Sequence, residues 1–98
     1  MRIEFTSPAL RDLEELRTYL SVRSVPGLAN VLVDIESTVF DIPKSISRGR
    51  KTPRDDVWER VSSRYKFIIP YHVSGTTIYI LRVYHPKREP LDYGSLKF

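Results

Sequence analysis

The nine residues from Thr76 to Tyr84, TTIYILRVY, constrain this chain more than any other stretch. Ile78, Ile80 and Val83 belong to a β-branched and aromatic run that is apolar on both faces almost to its end, the pattern of a central strand in a sheet covered on one side. Pro86 closes the run, because proline has no N–H to give to a ladder. Arg82, His85, Lys87 and Arg88 are thereby delivered to one end of a rigid support.

The residues before this strand supply the rest of a small fold. Arg2 to Thr6 alternates polar and apolar residues and suits a short strand with Ile3 and Phe5 on one face. Ser7 and Pro8 open a helix as N-cap and first-turn residue. Within it Ala9, Leu13, Leu16 and Leu20 form an apolar stripe, with Asp12, Glu14, Glu15 and Arg17 on the other side. Ser24 to Gly27 breaks the chain, and a second amphipathic helix runs from Pro26 to Asp41, with Leu28, Leu32, Ile35 and Val39 in register and Pro43 beyond its end. So short a connection predicts an antiparallel helical hairpin. Val22, Val25, Val31, Val33 and Phe40 add apolar surface on its flanks, which suits a second apolar partner and equally fits frayed helix boundaries.

Between Lys44 and Asp56 periodicity vanishes and Gly49 and Pro53 punctuate a loop. Val57 to Ser62, then Tyr65 to Val73, then the strand after Ser74-Gly75 predict a three-stranded antiparallel meander. Pro70, inside the second of these, marks a bulge or an outward-facing N–H position. The fold class is α+β: an N-terminal strand, an antiparallel helical hairpin, and a three-stranded antiparallel meander packed on the hairpin. At 98 residues, residues 1–98 form a single domain.

Composition excludes several functions. There is no cysteine and there are only two histidines, which leaves no thiol chemistry, no disulfide and no metal site of the usual spacing. No apolar run approaches the ~20 residues of a membrane span and the first residues lack a signal peptide's apolar core, so a cytoplasmic protein without cofactors is expected. The net charge of +4 is concentrated, with Lys44, Arg48, Arg50, Lys51, Arg54, Arg60, Arg64 and Lys66 opposed only by Asp55, Asp56 and Glu59 in that interval. Such a patch suits an acidic partner, or is a solvated edge. Histidine is the residue type suited to proton transfer near neutral pH, which makes His85 a candidate for it, or for a local hydrogen bond beside Pro86. His72 has no companion at ligand spacing. Trp58 and the tyrosines 65, 71, 79 and 84 suit base stacking or cross-strand packing. Arg82 and Arg88 are equally placed to pair with Glu59 or Glu89.

The ordered set of Ala9, Asp12, Leu13, Leu16, Tyr19 and Leu20, then Pro43 and Gly49-Arg50, then Tyr65…Ile69-Pro70-Tyr71…Ile78…Ile80-Leu81-Arg82-Val83…His85…Arg88 resembles the ParE/RelE superfamily of bacterial toxin–antitoxin toxins, over essentially the full chain. The closing LRVYHPKRE is more similar to the ParE branch. That resemblance implies a non-enzymatic toxin that inhibits DNA gyrase and is neutralised by a cognate ParD-like antitoxin of ribbon-helix-helix type. Target-binding residues are then expected at Arg50, Lys51, Arg54, Arg82, His85, Lys87 and Arg88, and antitoxin-binding residues at Leu13, Leu16, Leu20, Leu28, Leu32 and Ile35. The RelE branch implies instead a ribosome-dependent, metal-free mRNA interferase, for which His85, Arg82, Arg50 and Lys51 are the catalytic candidates, with Tyr93 as an alternative base or acid. Lys51 has no second lysine before Lys66, a departure from the closely spaced lysines of such enzymes. A third alternative is an inactive antitoxin-binding module.

Overall fold

The computed structural model describes residues 1–87 and 91–96. Its elements are β1 (Arg2–Phe5), α1 (Ser7–Ser21), α2 (Val25–Asp41), β2 (Arg50–Lys51), β3 (Trp58–Val61), β4 (Ile68–Ser74) and β5 (Thr77–Ile80). Short 3-10 turns lie at Ile42–Lys44, Ile46–Arg48 and Tyr93–Ser95.

The predicted meander is present as β3, β4 and β5, but the sheet is larger. Its order is β1-β5-β4-β3-β2, with β1 parallel to β5 and every other pair antiparallel. β2 falls inside the predicted loop: Arg50 pairs with Glu59 and Lys51 with Trp58. A two-residue strand carries no periodicity, so composition alone marked it as a loop.

The helices start on side-chain caps. The Thr6 hydroxyl, rather than that of Ser7, accepts from the Ala9 amide, and Ser24 accepts from the Gly27 amide at 3.0 Å. Thr6 is fixed to the cap position because its own amide and hydroxyl donate to Ile80 O, both at 3.0 Å. The helical hairpin covers one sheet face. Ala9 and Leu16 from α1, Val31, Ile35 and Val39 from α2, and Ile69, Tyr71, Ile78, Ile80 and Val83 from the sheet side form one buried cluster. Asp12, expected on the solvent side of α1, is buried instead, as is Asp34 on α2.

Pro70 lies inside β4, where a proline leaves a gap in the ladder. Leu81 donates to Pro70 O at 2.9 Å, and the missing return bond is replaced by the Thr6 hydroxyl, which reaches Leu81 O at 3.1 Å. Next to it Ile68 pairs with Tyr84, so Ile69 alone faces two residues, Arg82 and Val83. That is a β-bulge, on the strand opposite the proline. It ends β5 at Ile80, before the end of the apolar run.

Gly75 turns β4 into β5 with φ +59, which favours glycine. Gly49 is required for another reason: a Cβ there would lie 1.9 Å from the Tyr71 hydroxyl, which donates to Ile46 O at 3.0 Å. Among the described residues no helix is long and apolar enough to cross a membrane.

Candidate functional site

The bulge after β5 presents an unpaired Val83 N–H and the Arg82 side chain on the same side, and α1 meets both with Asp12. The Asp12 carboxylate accepts from Arg82 Nε at 2.6 Å, from Arg82 Nη2 at 2.9 Å and from the Val83 amide at 2.9 Å. Hydrogen bonding to Asp12 raises the Arg82 pKa further, so the guanidinium is permanently charged. The side chain of Arg82 is 31% exposed against 8% for Asp12. Arg82 therefore ties α1 to the sheet through Asp12 rather than pairing with Glu59; Glu89, the other expected partner, lies outside the described residues.

The sheet face away from the helices holds a second polar group. Arg50 and Glu59 are opposite each other on β2 and β3, and Arg50 Nε donates to Glu59 Oε1 at 2.6 Å. The Tyr93 hydroxyl donates to the other oxygen of Glu59, and the Tyr84 hydroxyl lies 3.2 Å from that of Tyr93. Burial pushes the Tyr93 pKa far above its ordinary value, and the bonds to Glu59 and Tyr84 push it the same way. Both effects favour the protonated hydroxyl, which stands as a donor to Glu59. Arg54 binds Asp56 through Nε at 2.8 Å, and through Nη1 it donates to Leu96 O at 2.6 Å and Tyr93 O at 3.3 Å. Under this segment Val57, Leu81 and Leu96 form a small apolar cluster with Tyr79, Leu91 and Tyr93.

On the helix side, Leu16, Tyr19, Leu20, Val31, Tyr65 and Phe67 line an open groove of about 580 Å³, with His85 and Lys87 at its border. His85 packs edge-on against Phe67, with centroids 5.4 Å apart, and its Nδ1 accepts from the Lys87 amide at 3.2 Å. A smaller cleft along the outer seam of the hairpin takes in Leu13, Leu32 and Ile35, with Leu10 and Phe40 exposed beside it.

The cations expected at one rim are thus divided. Arg50 and Arg54 lie on the face opposite the helices, His85 and Lys87 border the helix-side groove, and Arg82 sits at the bulge between α1 and β5. Arg50, Arg54 and Arg82 each face a carboxylate of the fold. Lys51 is exposed on β2. Arg88 and Glu89 lie outside the described residues. Of the six hydrophobic residues expected to meet a partner, Leu16 and Ile35 are buried in the core, while Leu13, Leu20, Leu28 and Leu32 are half-buried. His72 Nδ1 donates to Asp56 O at 2.7 Å, which ties it to the loop before β3.

Sequence reasoning missed Asp12, Asp34 and Glu59 as organising groups. Asp12 carried a signal: it sits three residues after Ala9 and four before Leu16, on the buried stripe. Asp34 stands likewise between Val31 and Thr38. Its carboxylate accepts from the Arg64 and Tyr65 amides at 3.1 and 2.8 Å, anchoring the turn between β3 and β4 to α2.

The family model of the ParE toxin of type II toxin–antitoxin systems, parDE, matches residues 3–90. Among solved structures, a chain of a chromosomal ParDE toxin–antitoxin system from P. aeruginosa superposes with a TM-score of 0.75 at 25% identity, over 87% of this chain and 95% of that one. No curated protein matches the chain. A match over nearly the whole domain, together with the β1–hairpin–sheet architecture and the basic segment between the hairpin and β3, places this chain in the ParE family of toxins of type II toxin–antitoxin systems.

Proposed function

We propose that the protein is a toxin that inhibits DNA gyrase by binding it, without catalysis, and that a ParD-like antitoxin holds it inactive. The observation that carries the non-enzymatic reading is the Glu59 carboxylate, 8% exposed, between Arg50 and Tyr93. Metal-free RNA cleavage needs uncompensated cations around a phosphate, plus a base and an acid able to exchange protons. Here the central charge of that face is negative, Arg50 is committed to it, and Tyr93 is locked as a donor. Arg82, the other catalytic candidate, is committed to Asp12 on a different part of the surface.

The helix-side groove supports an antitoxin segment that is amphipathic and acidic, because its lining is apolar and its border carries Lys87 and His85. Leu16 and Leu20 contribute to that groove; Leu13, Leu32 and Ile35 serve the neighbouring seam, and half-buried Leu28 lines neither. Lys87 and His85 then face the antitoxin, and the target meets Arg50 and Arg54 on the opposite side, with Lys51 at the exposed β2 edge next to them.

Two assays on purified protein separate the readings. Inhibition of gyrase supercoiling with mRNA left intact on translating ribosomes is the expected result. Site-specific mRNA cuts with unaffected supercoiling would establish the interferase instead. Unimpaired growth on expression without any antitoxin, with neither biochemical effect, would leave an antitoxin-binding module.

A further inference from the structure

The segment Leu91 to Leu96 lies on the face assigned above to the target, and it is attached in an unusual way. Its backbone hydrogen bonds are internal: Ser95 N to Asp92 O, Leu96 N to Tyr93 O, and Gly94 N to the Asp92 side chain. Among the described residues, no backbone–backbone bond of residues 91–96 reaches a strand. What holds the segment is side-chain contact. Arg54 takes the carbonyls of Tyr93 and Leu96, the Tyr93 hydroxyl takes Glu59, and Leu91, Tyr93 and Leu96 cover Val57 and Leu81. A segment fixed in this manner can leave as a unit without opening a ladder.

We propose that residues 91–96 are a self-ligand, a strap that fills a peptide-accepting groove on the outer sheet face and must lift before the target occupies it. The floor beneath is apolar, with Val57 and Leu81 at 1% and 2% exposure. Around it stand Arg54, which donates to backbone carbonyls, Glu59, which accepts one donor, and Arg50. This set fits an extended polypeptide that presents two apolar side chains flanking a hydrogen-bond donor, as the strap itself does with Leu91, Tyr93 and Leu96. A nucleic-acid strand, lacking such side chains and repelled by Glu59, does not match it. The inference rests on the reading that this face meets the target.

The test uses the full-length chain carrying Leu91→Ala and Leu96→Ala, which removes the strap's apolar anchors and leaves Arg50, Arg54 and Glu59 in place. A fluorescent peptide copying residues 91–98, LDYGSLKF, should bind this variant and not the natural sequence, in which the tethered strap has an effective concentration on the order of mM. In the natural chain, the Ser95 and Leu96 amides should exchange hydrogen well before those of Ile78 and Ile80. The variant should also inhibit gyrase at a several-fold lower concentration. Peptide binding to neither chain, exchange of the strap amides only together with β5, or equal potency of variant and natural chain on gyrase would each overturn the proposal. The exchange measurement needs no variant, so a double variant that fails to fold leaves the proposal testable. Peptide binding by the variant with no gyrase inhibition by either chain would uphold the strap and overturn the gyrase reading alone.

Discussion

Asp12 shows how one residue can decide what a cation is for. A carboxylate buried on a helix is costly unless donors meet it, and Asp12 has three, two from Arg82 and one from the Val83 amide. Breaking a fully buried pair costs about 3–5 kcal/mol, and the partial exposure of Arg82 recovers some of that. Asp12→Ala should therefore lower stability by about 2–3 kcal/mol in urea unfolding. Arg82→Ala should cost at least as much, since it strips two of the three donors from a carboxylate that stays buried. No loss from either substitution would mean the clamp contributes nothing. The expectation that Arg82 is a free target-facing charge followed from the end of a strand; the bulge that turns it toward α1 is invisible in periodicity. Asp34 gives the pH dependence. Burial alone would raise its carboxyl, but bonds from the Ser62 hydroxyl and the Tyr65 and Arg64 amides hold it below its ordinary value of 3.8. A depressed folded-state pKa contributes stability that is full above the unfolded value and is lost as pH falls through the folded one. Thermal melts from pH 6 downward should thus show the natural chain losing stability below about pH 4 more steeply than Asp34→Asn, which starts lower and has no charge to lose.

The helices were legible at the level of elements because their burial repeats every three to four residues; their boundaries depend on single caps. Thr6 rather than Ser7 caps α1 because Ile80 and Leu81 hold the Thr6 hydroxyl, a contact across 74 residues of chain. The same distant bond fills the gap left by Pro70, which is why a proline is tolerated inside β4. Thr6→Ala removes a cap and a ladder substitute together, and should cost about 1–2 kcal/mol in equilibrium unfolding, above the usual cost of an exposed cap. Thr6→Ser, which keeps the hydroxyl, should recover most of it. Helix stripe positions are not equivalent either. Leu16 is 8% exposed and Leu32 is half-buried over the outer seam. Leu16→Ala should cost about 2–4 kcal/mol and Leu32→Ala about 1 kcal/mol. Equal losses would place the seam inside the core.

At the scale of the whole molecule, the sheet separates two surfaces of different chemistry. One is the apolar groove under α1 and α2; the other is the outer face with Arg50, Arg54, Glu59 and the strap. Sequence reading found the family, yet it assigned all cations to one rim, because a chain pattern records neither which sheet face a loop residue joins nor which carboxylate it meets. The separation predicts that antitoxin and target binding can be uncoupled by surface changes that spare the core. Tyr19, 51% exposed, and Lys87, exposed, border the groove. Tyr19→Ala with Lys87→Glu should weaken antitoxin binding in calorimetry by about tenfold or more, the loss of one aromatic contact and one charge contact, while gyrase inhibition is unchanged. Lys51→Glu, on β2 and exposed, should do the reverse: antitoxin affinity is kept and the inhibitory concentration rises by about fivefold, the weight of one partly solvated charge with its sign reversed. Both variants should melt within a few degrees of the natural chain. If Lys51→Glu weakened both activities together, the antitoxin would have to reach as far as the β2 edge of the sheet, and the division of labour between the two binding regions would be wrong.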